Sequence, residues 1–140
     1  MVDPDVLARR ILVLSETLGE LDRSGGADAG ELRKNAMLRA AVERWLQLAI
    51  ESCIDMAFHI VSEREWTPPD TAAGAFRALA SHGLLDAQLA ERLASAAGLR
   101  NVLVHDYVSV DVGLLARAVE RDLDDLRAFG AMAAGLLGPE

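Results

Sequence analysis

Leu7, Ile11, Leu14, Leu18 and Leu21 follow one another at alternating gaps of four and three, which sets them in one stripe along a helix. This stripe predicts a first helix that starts near Pro4 or Asp5 and ends at Ser24-Gly25-Gly26, where glycine supports the reversal after a helix. A second, long helix is predicted from about Asp28 or Glu31 to Glu63. From Trp45 to Val61 it is apolar nearly all round, and Gln47, Glu51, Asp55 and His59 recur every four positions as one narrow polar strip. A helix with this pattern is buried on several sides, which in so short a chain implies a subunit interface as well as an internal core. Thr67-Pro68-Pro69-Asp70 breaks the chain, with Asp70 the expected cap of a short third helix that carries Phe76 and Leu79 and ends at His82-Gly83. Asp86 is the expected cap of a fourth helix with Leu89 and Leu93 facing inward. Beyond a short connection over 108–110, Ser109 or Asp111 caps a last helix whose apolar face is Val112, Leu115, Val119, Leu126 and Phe129. The expected fold is all-α: a bundle of about five helices with a long second helix, one domain over residues 1–140.

Composition agrees. Half of the 140 residues are hydrophobic but only 4% are aromatic, a mixture that favours helix over sandwich or barrel. Fourteen basic against 22 acidic residues leave a net charge of −8, which disfavours nucleic-acid binding over the whole surface. A local basic cleft stays open, and Arg33, Lys34, Arg39 and Arg44 form one basic run. Cys53, the lone cysteine, reads as a reduced thiol within an apolar helix. The acidic start Met1-Val2-Asp3-Pro4-Asp5 lacks the pattern of a signal peptide, and no apolar run reaches the roughly 18–20 residues that span a bilayer. A cytoplasmic protein with no membrane partner is expected.

Reactive side chains cluster at one place, Arg100-Asn101-Val102-Leu103-Val104-His105-Asp106-Tyr107. Arginine offers a permanently charged fork of donors that matches phosphate oxygens. Histidine titrates nearest neutrality and can take and return a proton. Together they suit RNA cleavage without a metal. His105 would activate a ribose 2′-hydroxyl or protonate the leaving oxygen, Arg100 would stabilise charge on the phosphorus, and Asn101 would orient His105 or bind a phosphate oxygen. On a straight helix Arg100 and His105 lie about 140° apart, whereas Asn101 and His105 share a face. The helix must therefore end or bend near His105, or the arginine must reach around, or the two residues must come from different subunits. A structural reading competes: Arg100 pairing with Asp106 at a helix end, His105 hydrogen-bonded in the core, and the Tyr107 ring packed with its hydroxyl in water. Glu51, Asp55 and His59 on one helix face bear a formal likeness to a metal site, but no second helix supplies ligands, and a polar strip is the expected reading. No cofactor is expected. His82 at a helix end needs only the helix dipole, and Trp45 and Trp66 read as core or interface anchors.

Leu99-Arg100-Asn101-Val102-Leu103-Val104-His105-Asp106-Tyr107, followed by Val110-Asp111, resembles the Arg-x4-His-x-Tyr signature of the HepT-like toxins in the HEPN superfamily. The stretches Glu43-Arg44-Trp45-Leu46-Gln47 to Ile54-Asp55 and Phe76-Arg77-Ala78-Leu79 to Gly83-Leu84-Leu85 resemble the family's long interface helix and third-helix segment. The resemblance implies an all-helical homodimer that acts as a ribonuclease toxin on RNA, tRNA among the candidates, with the motif lining a cleft between subunits. It assigns Arg100 and His105 to the catalytic pair and Asn101 to the polar position beside the arginine. Tyr107 falls on the tyrosine that an MntA-like nucleotidyltransferase antitoxin modifies with AMP, a bulky anion that would block the cleft and repel RNA. Domains of this superfamily also serve as nucleotide- or substrate-binding partners of nucleotidyltransferases without turnover, the alternative expectation.

Overall fold

The computed structural model describes residues 3–25, 28–105 (His105 by its backbone) and 111–138. Six helices occupy the described residues: α1 (Pro4–Ser24), α2 (Ala29–Lys34), α3 (Ala36–Glu63), α4 (Ala72–Ser81), α5 (Ala87–His105) and α6 (Val112–Gly135).

α1 begins where the leucine stripe places it. The Asp3 carboxylate accepts the Asp5 backbone N–H at 2.9 Å, and Pro4 occupies the first turn, where its missing N–H costs nothing. Gly25 ends the helix in the left-handed region, φ 69°.

The expected second helix is two helices. Asn35 adopts an extended backbone (φ −125°, ψ 95°), and its Oδ1 accepts the Leu38 N–H at 3.0 Å. Its own N–H still donates to the Glu31 carbonyl at 3.0 Å, so one residue closes α2 and caps α3. Asparagine competes for backbone groups in this way, whereas hydrophobic periodicity runs straight across the break. The cap of α4 is likewise Thr71 and not Asp70: Thr71 Oγ1 accepts the Gly74 N–H at 3.0 Å from an extended backbone next to the first helical residue. Asp86 caps α5 through a 3.4 Å bond from the Leu89 N–H, and Asp111 caps α6 through a 2.9 Å bond from the Leu114 N–H. Ser109, the other candidate there, lies outside the described residues, as does the 108–110 connection.

α3 is the axis of the bundle and packs against all five other described helices. Leu46, Ile50, Cys53, Met56, Ala57 and Ile60 are fully enclosed along it. Much of its apolar surface is thus covered inside one chain, whereas Phe58 on the same helix stays exposed. Burial pushes the Cys53 thiol well above its ordinary range, as for an inert core cysteine. α1 and α6 meet closely at Gly130, where an added Cβ would lie 3.0 Å from Leu14 Cδ2, and Arg127 on α6 pairs with Asp22 on α1. Among the described residues no helix is long and apolar enough to cross a membrane.

Asp122 is a polar intrusion on the inner side of α6, 5% exposed. Burial lifts its carboxyl above the usual range, an effect that the Arg121 guanidinium 3.3 Å away only partly offsets. The folded state therefore binds this proton more tightly than the unfolded chain. Stability should fall as pH rises from the ordinary carboxylate pKa of about 4 through the raised folded value. Asp122→Asn is expected to match the parent near pH 3, where both states are protonated, and to melt above it at about pH 7. A lower melting temperature for the variant at neutral pH would show instead that the Arg121 pairing dominates.

Candidate active site

The polar strip of α3 is where three helices meet. Gln47 Nε2 donates to Glu51 Oε1 at 3.1 Å, and Arg100 from α5 brings Nη1 to 3.9 Å from the same oxygen. One turn further along α3, Asp55 Oδ2 lies 3.3 Å from Arg10 Nη2 of α1. The strip is a ladder of two carboxylates, each facing an arginine from a different neighbouring helix. Desolvation raises the Asp55 carboxyl, Arg10 pulls it back, Glu51 raises it and Arg100 lowers it, so the four charges act as one cluster.

Arg100 is three-quarters buried, and its Nε makes no hydrogen bond among the described residues. That Nε is buried, so the part of the guanidinium that can meet an anion is its outer Nη edge, which faces Glu51 at 3.9 Å. Asn101, the next residue, is exposed. It sits about 100° round the helix, away from α3 and on the face that His105 shares. α5 is helical through His105. The structure therefore unites Arg100 with Glu51 and Asp55, while the side chain of His105, with Asp106 and Tyr107, lies outside the described residues. The competing pairing of Arg100 with Asp106 lies outside them too, but the carboxylate that Arg100 is seen to face is Glu51.

Of the basic run, only Arg44 falls in line with this cluster, two turns before Glu51 and about 20° off its direction. Arg39 is about 120° round α3 from Glu51 and acts on Glu43, whose carboxyl burial raises. Arg33 and Lys34 belong to α2, which packs against α3 and α6. The cation that the fold does deliver is Arg10. Its signal in the sequence was slight: an arginine three residues after Leu7, at the edge of the α1 stripe, where a long stem can lie along a helix contact and present its head at the rim.

The remaining candidates have these surroundings. Glu51 and Asp55 are engaged by arginines, and His59 Nε2 is buried without a described partner. Trp66 stacks flat on His82 with ring centroids 3.7 Å apart, and Arg64 lies 5.7 Å from its ring. His82 Nδ1 is 2.9 Å from the Ala78 carbonyl at the end of α4, and Trp45 packs against the core.

Comparison with known proteins gives consistent matches. The family described as Ribonuclease HepT-like matches residues 14–132. A protein of Shewanella oneidensis named mRNA nuclease HepT is 27% identical over 125 residues, 89% of this chain and 93% of the relative. One of Aphanizomenon flos-aquae named tRNA nuclease HepT is 27% identical over 118 residues, 84% of this chain and 80% of the relative. The solved structure of the tri-AMPylated Shewanella oneidensis HEPN toxin in complex with MNT antitoxin superposes with a TM-score of 0.85 at 26% identity, covering 94% of this chain and 98% of that one.

Proposed function

The chain belongs to the ribonuclease HepT-like family, and we propose on that footing that it is an endoribonuclease toxin whose catalytic pair is Arg100 and His105. The observation that carries this reading is the placement of Arg100: a three-quarters-buried guanidinium that faces Glu51 at 3.9 Å, on the same helix as His105. Two relatives are named for mRNA and for tRNA cleavage, which supports RNA as the substrate class, tRNA among the candidates.

In the proposed reaction His105 takes the proton of a ribose 2′-hydroxyl, whose oxygen attacks the adjacent phosphorus. The bond to the 5′-oxygen of the next nucleotide breaks, leaving a 2′,3′-cyclic phosphate and a 5′-hydroxyl, with the proton returned to the leaving oxygen. Arg100 stabilises the charge that builds on the phosphoryl oxygens, and Asn101 orients His105 or a phosphate oxygen. Metal ions have no assigned role in these steps. Glu51 acts through Arg100 and is a positioning residue.

Tyr107 is the proposed switch. Its phenol oxygen would attack the α-phosphorus of ATP on a MntA-like nucleotidyltransferase antitoxin, releasing pyrophosphate and leaving AMP on the ring. The tri-AMPylated state of the superposed toxin, in complex with its MNT antitoxin, supports a modification of this kind. A homodimer is proposed as well. Supporting it are Phe58 on α3 and Val102 and Val104 on α5, exposed apolar side chains on the two helices that carry the cluster.

The second reading, a nucleotide-binding partner without turnover, draws on the charge: each arginine of the cluster already faces a carboxylate in a chain of net charge −8. Growth separates the two. Expression of the chain alone should arrest growth, and co-expression with a small nucleotidyltransferase should restore it. Intact mass should then show AMP-sized increments that Tyr107→Phe reduces. Normal growth together with nucleotide binding would favour the second reading, and increments unchanged in Tyr107→Phe would move the switch elsewhere.

A further inference from the structure

Glu51 and Asp55 stand four residues apart on α3, about 6 Å along its axis, and each holds one guanidinium. Arg100 and Arg10 are thus hung side by side at a spacing comparable to that of neighbouring phosphates along a polynucleotide strand. Arg10 commits Nη2 to Asp55 and keeps its other donors, and its side chain is 47% exposed, more open than Arg100 at 26%. Beside it on α1, Val6, Arg9, Arg10 and Val13 line a groove of about 450 Å³, whose two cations stand out in a chain with an acidic surplus. Exposed ion pairs of this sort add little to fold stability, so the pairing matters more for fixing the guanidinium than for holding the bundle together.

We propose that Arg10 is a second phosphate-binding residue, which holds the single-stranded RNA backbone next to the phosphate engaged by Arg100, with Asp55 as its positioning partner. The inference rests on the ribonuclease reading given above. It assigns to α1 a substrate contact that the motif on α5 does not contain, and it extends the site along the strand instead of across it.

The test is the salt dependence of binding, because each phosphate contact to a single strand contributes a slope of about −0.7 in log affinity against log salt. The probe is a short fluorescein-labelled 2′-O-methyl oligoribonucleotide of mixed sequence, which lacks the attacking hydroxyl and stays intact on the wild-type chain. Arg10→Ala should flatten the slope by about 0.7. Arg10→Ala combined with Asp55→Asn removes one charge of each sign, leaves the net charge unchanged and should flatten the slope equally. Arg10→Lys retains a cation and should keep most of the slope, with circular dichroism confirming unchanged helicity in all three. Flattening in Arg10→Ala but not in the neutral pair would trace the effect to net charge and overturn the proposal. An unchanged slope in both, with RNA cleavage by the wild type intact, would overturn it while leaving the ribonuclease reading in place. A wild-type chain that neither binds nor cuts RNA would remove that reading and the role of Arg10 together.

Discussion

Replacing His105 by alanine is expected to lower RNA cleavage by roughly 10²–10⁴-fold, the usual contribution of a positioned general acid–base, while helicity and oligomeric state stay as they are. The expectation follows from the division of labour at the site. Arg100 is permanently charged and faces Glu51, so in the proposed reaction its part is to stabilise anionic phosphate, and it cannot shuttle a proton at neutral pH. Among the residues of the motif, His105 has the side chain whose ordinary pKa suits that shuttle. The variant should therefore bind a 2′-O-methyl oligoribonucleotide with near-parental affinity and fail to cut an unmodified one. Cleavage at the parental rate by purified His105→Ala would reject the mechanism, because Arg100 alone then has no partner to move the proton.

The second large effect concerns the fold. Phe129 of α6 is fully buried and meets Phe76 of α4 edge to face, with centroids 5.6 Å apart and planes at 82°. Phe129→Ala should cost about 3–5 kcal/mol, the range for emptying a large aromatic from a packed core. Against a total stability of about 5–15 kcal/mol, this would unfold a sizeable share of the population under mild stress. Chemical denaturation with an unchanged m-value and a lowered midpoint is the expected signature. A loss under about 1 kcal/mol would mean that α4 and α6 collapse onto the vacated space and that the edge-to-face contact is not a main tie between them. The same variant separates folding from chemistry, since Phe129 lies on α6, outside the motif on α5 and the polar strip of α3, and the folded fraction should cleave normally.

Much of this architecture was legible in the residue pattern. The Leu7–Leu21 stripe places α1 within a residue at either end, and His82-Gly83 and Asp86 bracket the α4–α5 turn as expected. The two misreadings share a cause. Asn35 and Thr71 act through a single side-chain oxygen on a backbone N–H three residues ahead, and a hydrophobic pattern averaged over turns does not register such a bond. The candidate site was half legible. Arg100 stood out by its neighbours in sequence, but Glu51 read as a member of a polar strip and Arg10 as one exposed charge among many. Their roles depend on which helices touch.

Taken by itself, the sequence determined the helical class, the starts of α1 and α5, the burial of much of α3, and the proposed place for chemistry in the cluster from Arg100 to Tyr107. These are properties of spacing along one helix, where periodicity of 3.6 residues converts directly into a face. Tertiary structure alone decided that α3 packs against all five other described helices, that Glu51 faces Arg100, and that Arg10 meets the neighbouring Asp55 from ninety residues before Arg100. Such pairings depend on how α1, α3 and α5 are rotated and aligned against one another. That arrangement is set by packing the whole core at once and leaves no local trace in the chain.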